Sequence, residues 1–453
     1  MPKSDIKYKY MEKERFKGGL PVLNLNAAGI DIGATQYDVA IIKEGTDYHS
    51  VKQFGTFTKD LIQLVEYLKS NKVTTVAIES TGIYWINLYL LLEKEGIEPY
   101  LVNAKHVKNV TGRKKDDTDA IWLQKLHSCG LLQKSFQLDS VFHTLRTYVR
   151  HREKTLQIGA DSVRRMQKAF ELMNVKIHNV ISDILGKTGI EIIRAILQGV
   201  RNPEDFLKYK DPRIEASDQD IMDSLNGIWN EEFIFLLQQA YDAYCFSQKQ
   251  VHECDEKIEK TLIHIYAKVK DGDISNIESS RKKRVGKNQF YFDARKIMHG
   301  IVGVDLCKID GLNEMTVVKL ISEIGIDMKK WKNANHFAAW MNLVPNTKIT
   351  GGKIISSRMQ KKKNHAGLIL RMASSNMSKS KSPLGDYSRR MRSRVGGKGA
   401  VVASAHKVSK IVYHLISNKV EFNSSLIIEN QISWKQRQIV NLEKRLEKLK
   451  NIA

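Results

Sequence analysis

The chain has 453 residues, 42% of them hydrophobic, and 73 Lys and Arg against 50 Asp and Glu give a formal net charge of +23. This composition excludes a largely disordered or fibrous chain, and the length favours two to three domains. A positive charge of this size indicates a polyanionic partner, with nucleic acid favoured over an acidic membrane surface. No apolar run approaches the roughly 20 residues that span a bilayer, so we expect no membrane segment.

The four cysteines are scattered along the chain without CxxC spacing. They predict neither a disulfide framework nor a zinc site. We therefore expect a protein of a reducing cytosol, in a cell where DNA is accessible.

After a basic lead-in over residues 1–26, strand and helix patterns alternate over residues 27–135. "AAGIDIGATQYDVAIIK" predicts a strand, a tight turn and an antiparallel return strand, and "TKDLIQLVEYLKSN" has helical spacing. "VTTVAIEST" predicts a buried strand, "IYWINLYLLLEKEG" a helix, "IEPYLVNA" a strand and "DDTDAIWLQKLHSCG" a further helix. This alternation predicts an α/β domain.

The remainder of the chain has a different sequence pattern, which is mainly helical. Residues 136–270 lack Pro and Gly clusters over long stretches, which predicts long helices in a coiled-coil or bundled spacer. We place a polar linker at 271–291, a mainly helical C-terminal domain at 292–425 and a basic amphipathic helix at 426–453.

Acidic side chains stand where the predicted strands end and where a predicted helix begins. Asp31 lies in the first strand, Glu79 ends a later one, and Asp116 and Asp119 share one face of a helix start, with Asp117 turned about 100° away. Such a cluster favours a hard divalent cation, Mg²⁺ above all with Mn²⁺ as a substitute. Two metals on shared carboxylates suit phosphoryl displacement. The simpler interpretations are a turn aspartate, a solvated strand end and helix caps, and the cap is favoured for Asp117.

The first strand also fits a rival class. A D-x-G-x-T hairpin such as "DIGAT" resembles the phosphate-binding turn of actin-like ATPases and sugar kinases. That class needs a second phosphate turn, for which "KIDGLNE" is a poor candidate, and it leaves the excess of cations unexplained.

Cations dominate two segments, one of them directly before the helix carboxylates. From Lys353 to Lys398 there are thirteen Lys and Arg and a single acid, Asp386. Cation runs without balancing acids favour a nucleic-acid partner. We predict nucleic-acid contacts from Arg113, Lys114, Lys115, Lys353, Arg358, Lys361, Lys362, Lys363 and Arg371.

Two turns in the C-terminal domain are candidates for phosphate chemistry. "VDLCKIDGLNEMTVVKLISEIG" fits a helix–hairpin–helix element that offers backbone amides to phosphates, with an ordinary helix pair as the alternative. Thr350 precedes Gly351 and Gly352, and a hydroxyl presented beside cations can attack a phosphodiester and form a covalent intermediate. Taken alone, a Thr-Gly-Gly turn is structural.

The order of "GIDIG", "AIEST", "KKDDTDA", a helical spacer and "LVPNTKITGGK" followed by "SSR" resembles one family over about residues 27–445. These are the insertion-sequence transposases with an Asp-Glu-Asp-Asp domain, related to Piv-type DNA invertases and described as bridge-RNA-guided serine recombinases. The resemblance implies an RNase H-like (RuvC-like) domain. Its Lys-Thr-Asp-x-x-Asp-Ala pattern assigns metal-binding roles to Asp116 and Asp119, with Asp31 and Glu79 completing the quartet.

The resemblance also implies a nucleophile and partners. The family has a serine before a glycine where this chain has Thr350, a departure that makes Ser356 and Ser357 the alternative nucleophiles. It implies donor and target DNA, a structured guide RNA, and a dimer or tetramer of the chain with composite active sites.

The sequence therefore predicts an enzyme that cuts and rejoins DNA. The alternatives are a Mg²⁺-dependent nuclease of Holliday-junction type without a covalent intermediate, a non-enzymatic nucleic-acid-binding scaffold, and the actin-like ATPase.

Overall fold

The computed structural model describes residues 21–43, 49–80, 82–103, 107, 118–269, 286, 288–360, 364–425, 427–428, 436 and 439–443. The chain divides into two compact units, Met1–Gln137 and Leu138–Ala453. None of the described helices is both long enough and apolar enough to span a bilayer.

A mixed five-stranded sheet forms the centre of the first unit. Its strands lie side by side in the order β3-β2-β1-β4-β5. The first three strands are antiparallel neighbours, whereas β4 runs parallel to β1 and β5 parallel to β4. The strands are β1 Ala27–Ile32, β2 Gln36–Ile42, β3 His49–Gly55, β4 Thr75–Glu79 and β5 Glu98–Val102.

Helices cover both faces of this sheet. Helices α1 (Thr58–Ser70) and α2 (Trp85–Lys94) bury their apolar stripes with Ile30 and Ile78 on one face. Helix α3 (Asp119–Ser128) covers the other face, where Ala77 packs among its apolar side chains. Because strand residues alternate between faces, the strands of this buried sheet are apolar on both sides. The sequence pattern predicted an α/β domain with these helices and four of the five strands, and it missed β3.

Two long helices form the framework of the second unit. Helix α4 (Ser140–Leu172) packs along α8 (Glu231–Val269), as the absence of helix breakers in both stretches predicted. The segment between them is a cluster of short helices with its own apolar core around Phe170 and Phe206. Its elements are α5 Ile177–Val180, α6 Lys187–Leu197, a 3₁₀ turn at Pro203–Tyr209 and α7 Asp218–Leu225.

The rest of the second unit is mainly helical, with one two-stranded hairpin. Its helices are α9 Ala294–Val302, α10 Glu314–Ile324, α11 Ala334–Trp340, α12 His365–Ser374 and α13 Pro383–Asn418. Strands β6 (Asn346–Thr350) and β7 (Lys353–Arg358) pair in antiparallel fashion between α11 and α12. Of the predicted basic helix at 426–453, only residues 427–428, 436 and 439–443 lie within the described residues.

The predicted helix–hairpin–helix segment connects α9 to α10 through Gly311, whose φ is +84°. A Cβ atom at this glycine would lie 2.5 Å from the carbonyl oxygen of Ala373 at the end of α12. The glycine therefore serves close packing of the turn on the protein as well as its backbone conformation.

Candidate active site

Two of the predicted metal ligands lie side by side at the carboxyl ends of parallel strands. The register pairs Gly29 with Ala77 and Ile30 with Ile78, so Asp31 and Glu79 come next on the adjacent strands. Both side chains are half-buried. Because strand side chains alternate, both are on the face of Gly29 and Ala77, which is the face that α3 covers. The parallel pairing of β1 with β4 thus brings together two carboxylates that are 48 positions apart in the sequence.

Helix α3 directs its first residue to the same edge. Gln124 Nε2 donates to the carbonyl oxygen of Ala27 at 3.2 Å, and a Cβ atom on Gly29 would lie 2.3 Å from the Ala120 oxygen. The helix therefore runs antiparallel to β1, with its amino terminus toward Asp31. Only glycine permits this backbone approach.

The start of α3 is defined by a cap. Thr118 precedes the helix in an extended conformation, and its hydroxyl accepts a hydrogen bond from the amide of Ile121 at 3.3 Å. Asp119 is then the first helical residue and is exposed. Asp119 thus stands at the helix end that points toward Asp31. Asp116 and Asp117 lie outside the described residues.

A further carboxylate at this edge escaped the sequence analysis. Asp38 on β2 is directly opposite Asp31 in the antiparallel register, so it is on the same face of the sheet. It is half-buried, and Gln36 Nε2 donates to its Oδ1 at 3.3 Å. The available signal was the spacing of seven residues between two aspartates on predicted antiparallel strands, but the register needed to interpret it was unknown.

These residues suit a divalent cation in chemistry, although no ready-made metal site is formed. Among the described residues, no three His, Cys, Asp or Glu side chains are grouped closely enough to hold an ion. Directly opposed carboxylates repel each other, and Asp31 and Asp38 form such a pair. Hard oxygen donors are the ligands that Mg²⁺ and Mn²⁺ prefer, so the donor set fits the predicted metal.

Thr350 stands at the tip of the β6–β7 hairpin. It is the last residue of β6, pairs with Lys353 and is exposed. Gly351 and Gly352 have φ values of +56° and +74°, as a type I′ two-residue turn requires. The alternative hydroxyls, Ser356 and Ser357, pair with Lys348 and Thr347 farther from the tip.

The predicted nucleic-acid contacts divide into three groups. Lys353 and Arg358 are exposed on the hairpin. Arg371 is half-buried, and its guanidinium donates to the carbonyl oxygen of Asn342 at 2.9 Å, which gives it a structural role within the fold. The remaining cations lie outside the described residues, namely Arg113, Lys114, Lys115, Lys361, Lys362 and Lys363.

Comparison with protein families matches two segments of the chain. The DEDD transposase domain of the IS110 type, described as a transposase, matches residues 28–174. The domain described as the transposase IS116/IS110/IS902 family matches residues 305–389. The chain carries the transposase domains of the IS110 family.

The first IS110-family match contains the sheet from residue 28 onward and α3, and the second contains the hairpin with Thr350. No curated protein matches the chain. Transposase domains belong to enzymes that cut and rejoin DNA, so DNA is the expected partner, and a DEDD domain indicates use of a divalent metal.

Proposed function

We propose that this IS110-type chain is a DNA transposase and site-specific recombinase with an RNase H-like (RuvC-like) domain. Its sheet order, with two strands added parallel to β1 beside an antiparallel β1–β3 meander, supports that fold. The observation that carries the proposal is the adjacent placement of Asp31 and Glu79, with α3 directing Asp119 to the same edge.

In this proposal Asp31, Glu79, Asp116 and Asp119 hold Mg²⁺, or Mn²⁺ in its place. A divalent ion bound there would stabilise the charge that develops on the phosphate oxygens during displacement. The four carboxylates act only as metal ligands. Gly29 allows α3, which carries Asp119, to pack directly against β1, which carries Asp31. The resident charge of the site is therefore negative, which makes cation binding a condition for approach of the DNA phosphate.

Thr350 supplies the nucleophile. Its hydroxyl oxygen bonds to the phosphorus, the bond from phosphorus to one sugar oxygen breaks, and that oxygen leaves with a proton as a free sugar hydroxyl. Attack by a sugar hydroxyl of another strand reverses these bonds and releases Thr350. The position of Thr350 at the tip of the hairpin, next to the Gly351-Gly352 turn and opposite Lys353, supports Thr350 over Ser356 and Ser357.

The proposal includes a guide RNA and self-assembly. Thirteen Lys and Arg against a single acid between residues 353 and 398 support binding of nucleic acid, RNA as well as DNA. The quartet belongs to the first unit and Thr350 to the second. A dimer or tetramer can thus combine the carboxylates of one copy with the hydroxyl of another, in the manner of the composite sites of Piv-related recombinases.

A covalent-adduct assay tests the mechanism. Labelled DNA from the region flanking the gene is incubated with the protein, the nucleic acid that co-purifies with it and Mg²⁺, and adducts are resolved on denaturing gels. The wild type and Ser357→Ala are expected to form an adduct, whereas Thr350→Ala and Asp31→Asn are not. An adduct that survives Thr350→Ala but is lost in Ser356→Ala or Ser357→Ala would transfer the role to that serine.

Other outcomes distinguish the alternatives. Asp31-dependent cleavage without any adduct would identify a nuclease of Holliday-junction type. Full activity of both Asp31→Asn and Glu79→Gln would identify a scaffold. Sequencing the nucleic acid that co-purifies tests guidance, because a discrete RNA encoded beside the gene is expected and its absence contradicts RNA guidance.

A further inference from the structure

The middle of helix α13 is helical yet exposed on all sides. Residues 392–398 are all exposed, although a helix lying on a protein surface buries one face. The buried positions of α13 include Leu384, Gly385 and Ser388 at its start and then resume only at Ala400. Both ends of α13 are thus anchored in the second unit, and the stretch between them stands in solvent.

This stretch carries cations without balancing acids. Arg392, Arg394 and Lys398 are exposed, and no acidic side chain among the described residues pairs with them. The single acid of the region, Asp386, forms its ion pair with Arg389 instead. Exposed cations in such number, on a stretch of helix with no buried residue, favour an anionic partner.

A glycine breaks the helix inside the exposed stretch. Gly396 has φ +77° and ψ 171°, which is not helical, so α13 consists of two helical pieces. A Cβ atom at Gly396 or Gly397 would meet no atom within 4 Å. These glycines therefore do not serve close packing within the unit, and Gly396 serves the change of chain direction.

Basic side chains continue into the anchored second piece of the helix, at His406, Lys407 and Lys410. Burial and the neighbouring Lys410 lower the pKa of Lys407. Burial, Lys410 and Lys407 likewise lower the pKa of His406. Burial is the main cause of both shifts, and the neighbouring charges that add to it are lysines, with no carboxylate among the causes.

We infer that residues 390–398, here called the α13 arm, dock on the backbone of duplex DNA through Arg392, Arg394 and Lys398. This inference rests on the proposed function in taking DNA as the substrate. The arm lies just beyond the matched transposase domain, which ends at residue 389. The helical piece that precedes Gly396 carries Arg392 and Arg394, and Lys398 follows the break. An exposed helix of this kind fits the major groove of B-DNA, where its arginines reach the flanking phosphates.

The salt dependence of binding to a random-sequence DNA duplex tests the arm. The triple variant Arg392→Gln, Arg394→Gln, Lys398→Gln is compared with wild type and with the charge-matched control Lys249→Gln, Lys257→Gln, Lys260→Gln. The control positions are exposed on α8. Each lost phosphate contact lowers the slope of log K against log salt by about 0.9, so the arm variant is expected to lose about 2 to 3.

The inference is overturned if the slope of the arm variant equals that of wild type, or if the control loses as much. It is also overturned if a structured RNA loses affinity in the arm variant while the duplex does not. Circular dichroism melts of both triples confirm that exposed substitutions leave the fold intact.

Asp31→Asn separates this inference from the proposed function. We expect it to bind the duplex with the wild-type slope and to lose cleavage. Normal cleavage by Asp31→Asn, together with a reduced slope in the arm variant, would contradict the proposed function and leave the arm supported. The reverse pattern would contradict the arm alone.

Discussion

Arg152 and Asp255 form an ion pair that is buried between the two long helices of the second unit. Their exposed fractions are 1% and 3%, and Arg152 Nη2 donates to Asp255 Oδ2 at 3.3 Å and to the carbonyl oxygen of Asn288 at 3.0 Å. The guanidinium also lies 4.6 Å from the centre of the Phe290 ring. One side chain of α4 thus connects α8 to the segment that precedes α9.

Removing one partner of this pair leaves a buried charge uncompensated. We expect Asp255→Ala to lower the free energy of unfolding by about 3–5 kcal/mol, measured by urea denaturation. The double variant Arg152→Met, Asp255→Leu should recover most of that loss, because an apolar pair of similar volume replaces the charges. If the double variant is as unstable as Asp255→Ala, the ion pair stabilises the fold by more than the compensation of one buried charge by the other.

Gly29 is expected to be sensitive to the smallest substitution. A methyl group there would lie 2.3 Å from both the Ala120 oxygen and the Gln124 nitrogen, so Gly29→Ala must displace α3. The expected loss is about 1–3 kcal/mol of unfolding free energy, with loss of Mg²⁺-dependent cleavage. Gly397→Ala is the control, since open space surrounds it, and it should stabilise by about 0.4–1 kcal/mol. A neutral Gly29→Ala would contradict the contact.

Acid is expected to destabilise the first unit through His127. This side chain of α3 is 2% exposed and its Nε2 lies 2.9 Å from Thr75 Oγ1, and burial lowers its pKa from 6.5 to about 4. The fold thus favours the neutral imidazole of His127. The stability that this preference adds is complete above pH 6.5 and is lost as the pH falls toward 4. At about 1.36 kcal/mol per pKa unit the loss is up to about 3 kcal/mol.

Thermal melts from pH 7 to pH 4 measure this dependence. His127→Gln should flatten the pH profile in that range, while His252→Gln, at an exposed position of α8, should leave it unchanged. Identical profiles for His127→Gln and wild type would assign the acid sensitivity to other groups.

The Asp38 carboxylate is expected to destabilise the first unit most when no metal is bound. Asp38→Asn removes one of two directly opposed carboxylates, which should raise the unfolding free energy in chelator by about 0.2–1 kcal/mol. The same variant should show a smaller rise in melting temperature on adding Mg²⁺. Glu66→Gln, an exposed carboxylate on α1, is the matched control and should change neither quantity. An unaltered response of Asp38→Asn to Mg²⁺ would exclude Asp38 from the site.

Thr350→Ser tests whether steric hindrance limits the proposed attack. Serine keeps the hydroxyl and removes the branching methyl group, so we expect adduct formation to become severalfold faster. Single-turnover measurement of the adduct gives the rate, with Ser357→Thr as the matched change on the same hairpin. A Thr350→Ser variant that forms no adduct would contradict the assigned nucleophile.

The sequence predicted those parts of the fold that depend on local pattern. Alternating apolar runs predicted the strands that carry Asp31 and Glu79, and the Gly351-Gly352 pair predicted the turn after Thr350. Register is a property of pairs of strands, so the sequence could not show that Asp38 opposes Asp31. The ion pair between Arg152 and Asp255 joins helices that are distant in sequence, and no local pattern signals it. The short helices α5 to α7 were missed because they lie between two long periodic stretches.

The parallel pairing of β1 with β4 also determines when, during synthesis, the carboxylates of the proposed metal site can come together. Strands β1 to β3 pair with their neighbours in sequence, whereas β4 reaches β1 only across α1, and Asp119 follows later still. Long-range pairing carries the larger loop-closure cost. A nascent chain that has just completed the meander therefore presents Asp31 without Glu79 or α3. Within the proposed mechanism such a chain lacks Glu79 and Asp119 of the metal site, and a completed first unit still lacks Thr350 of the second unit.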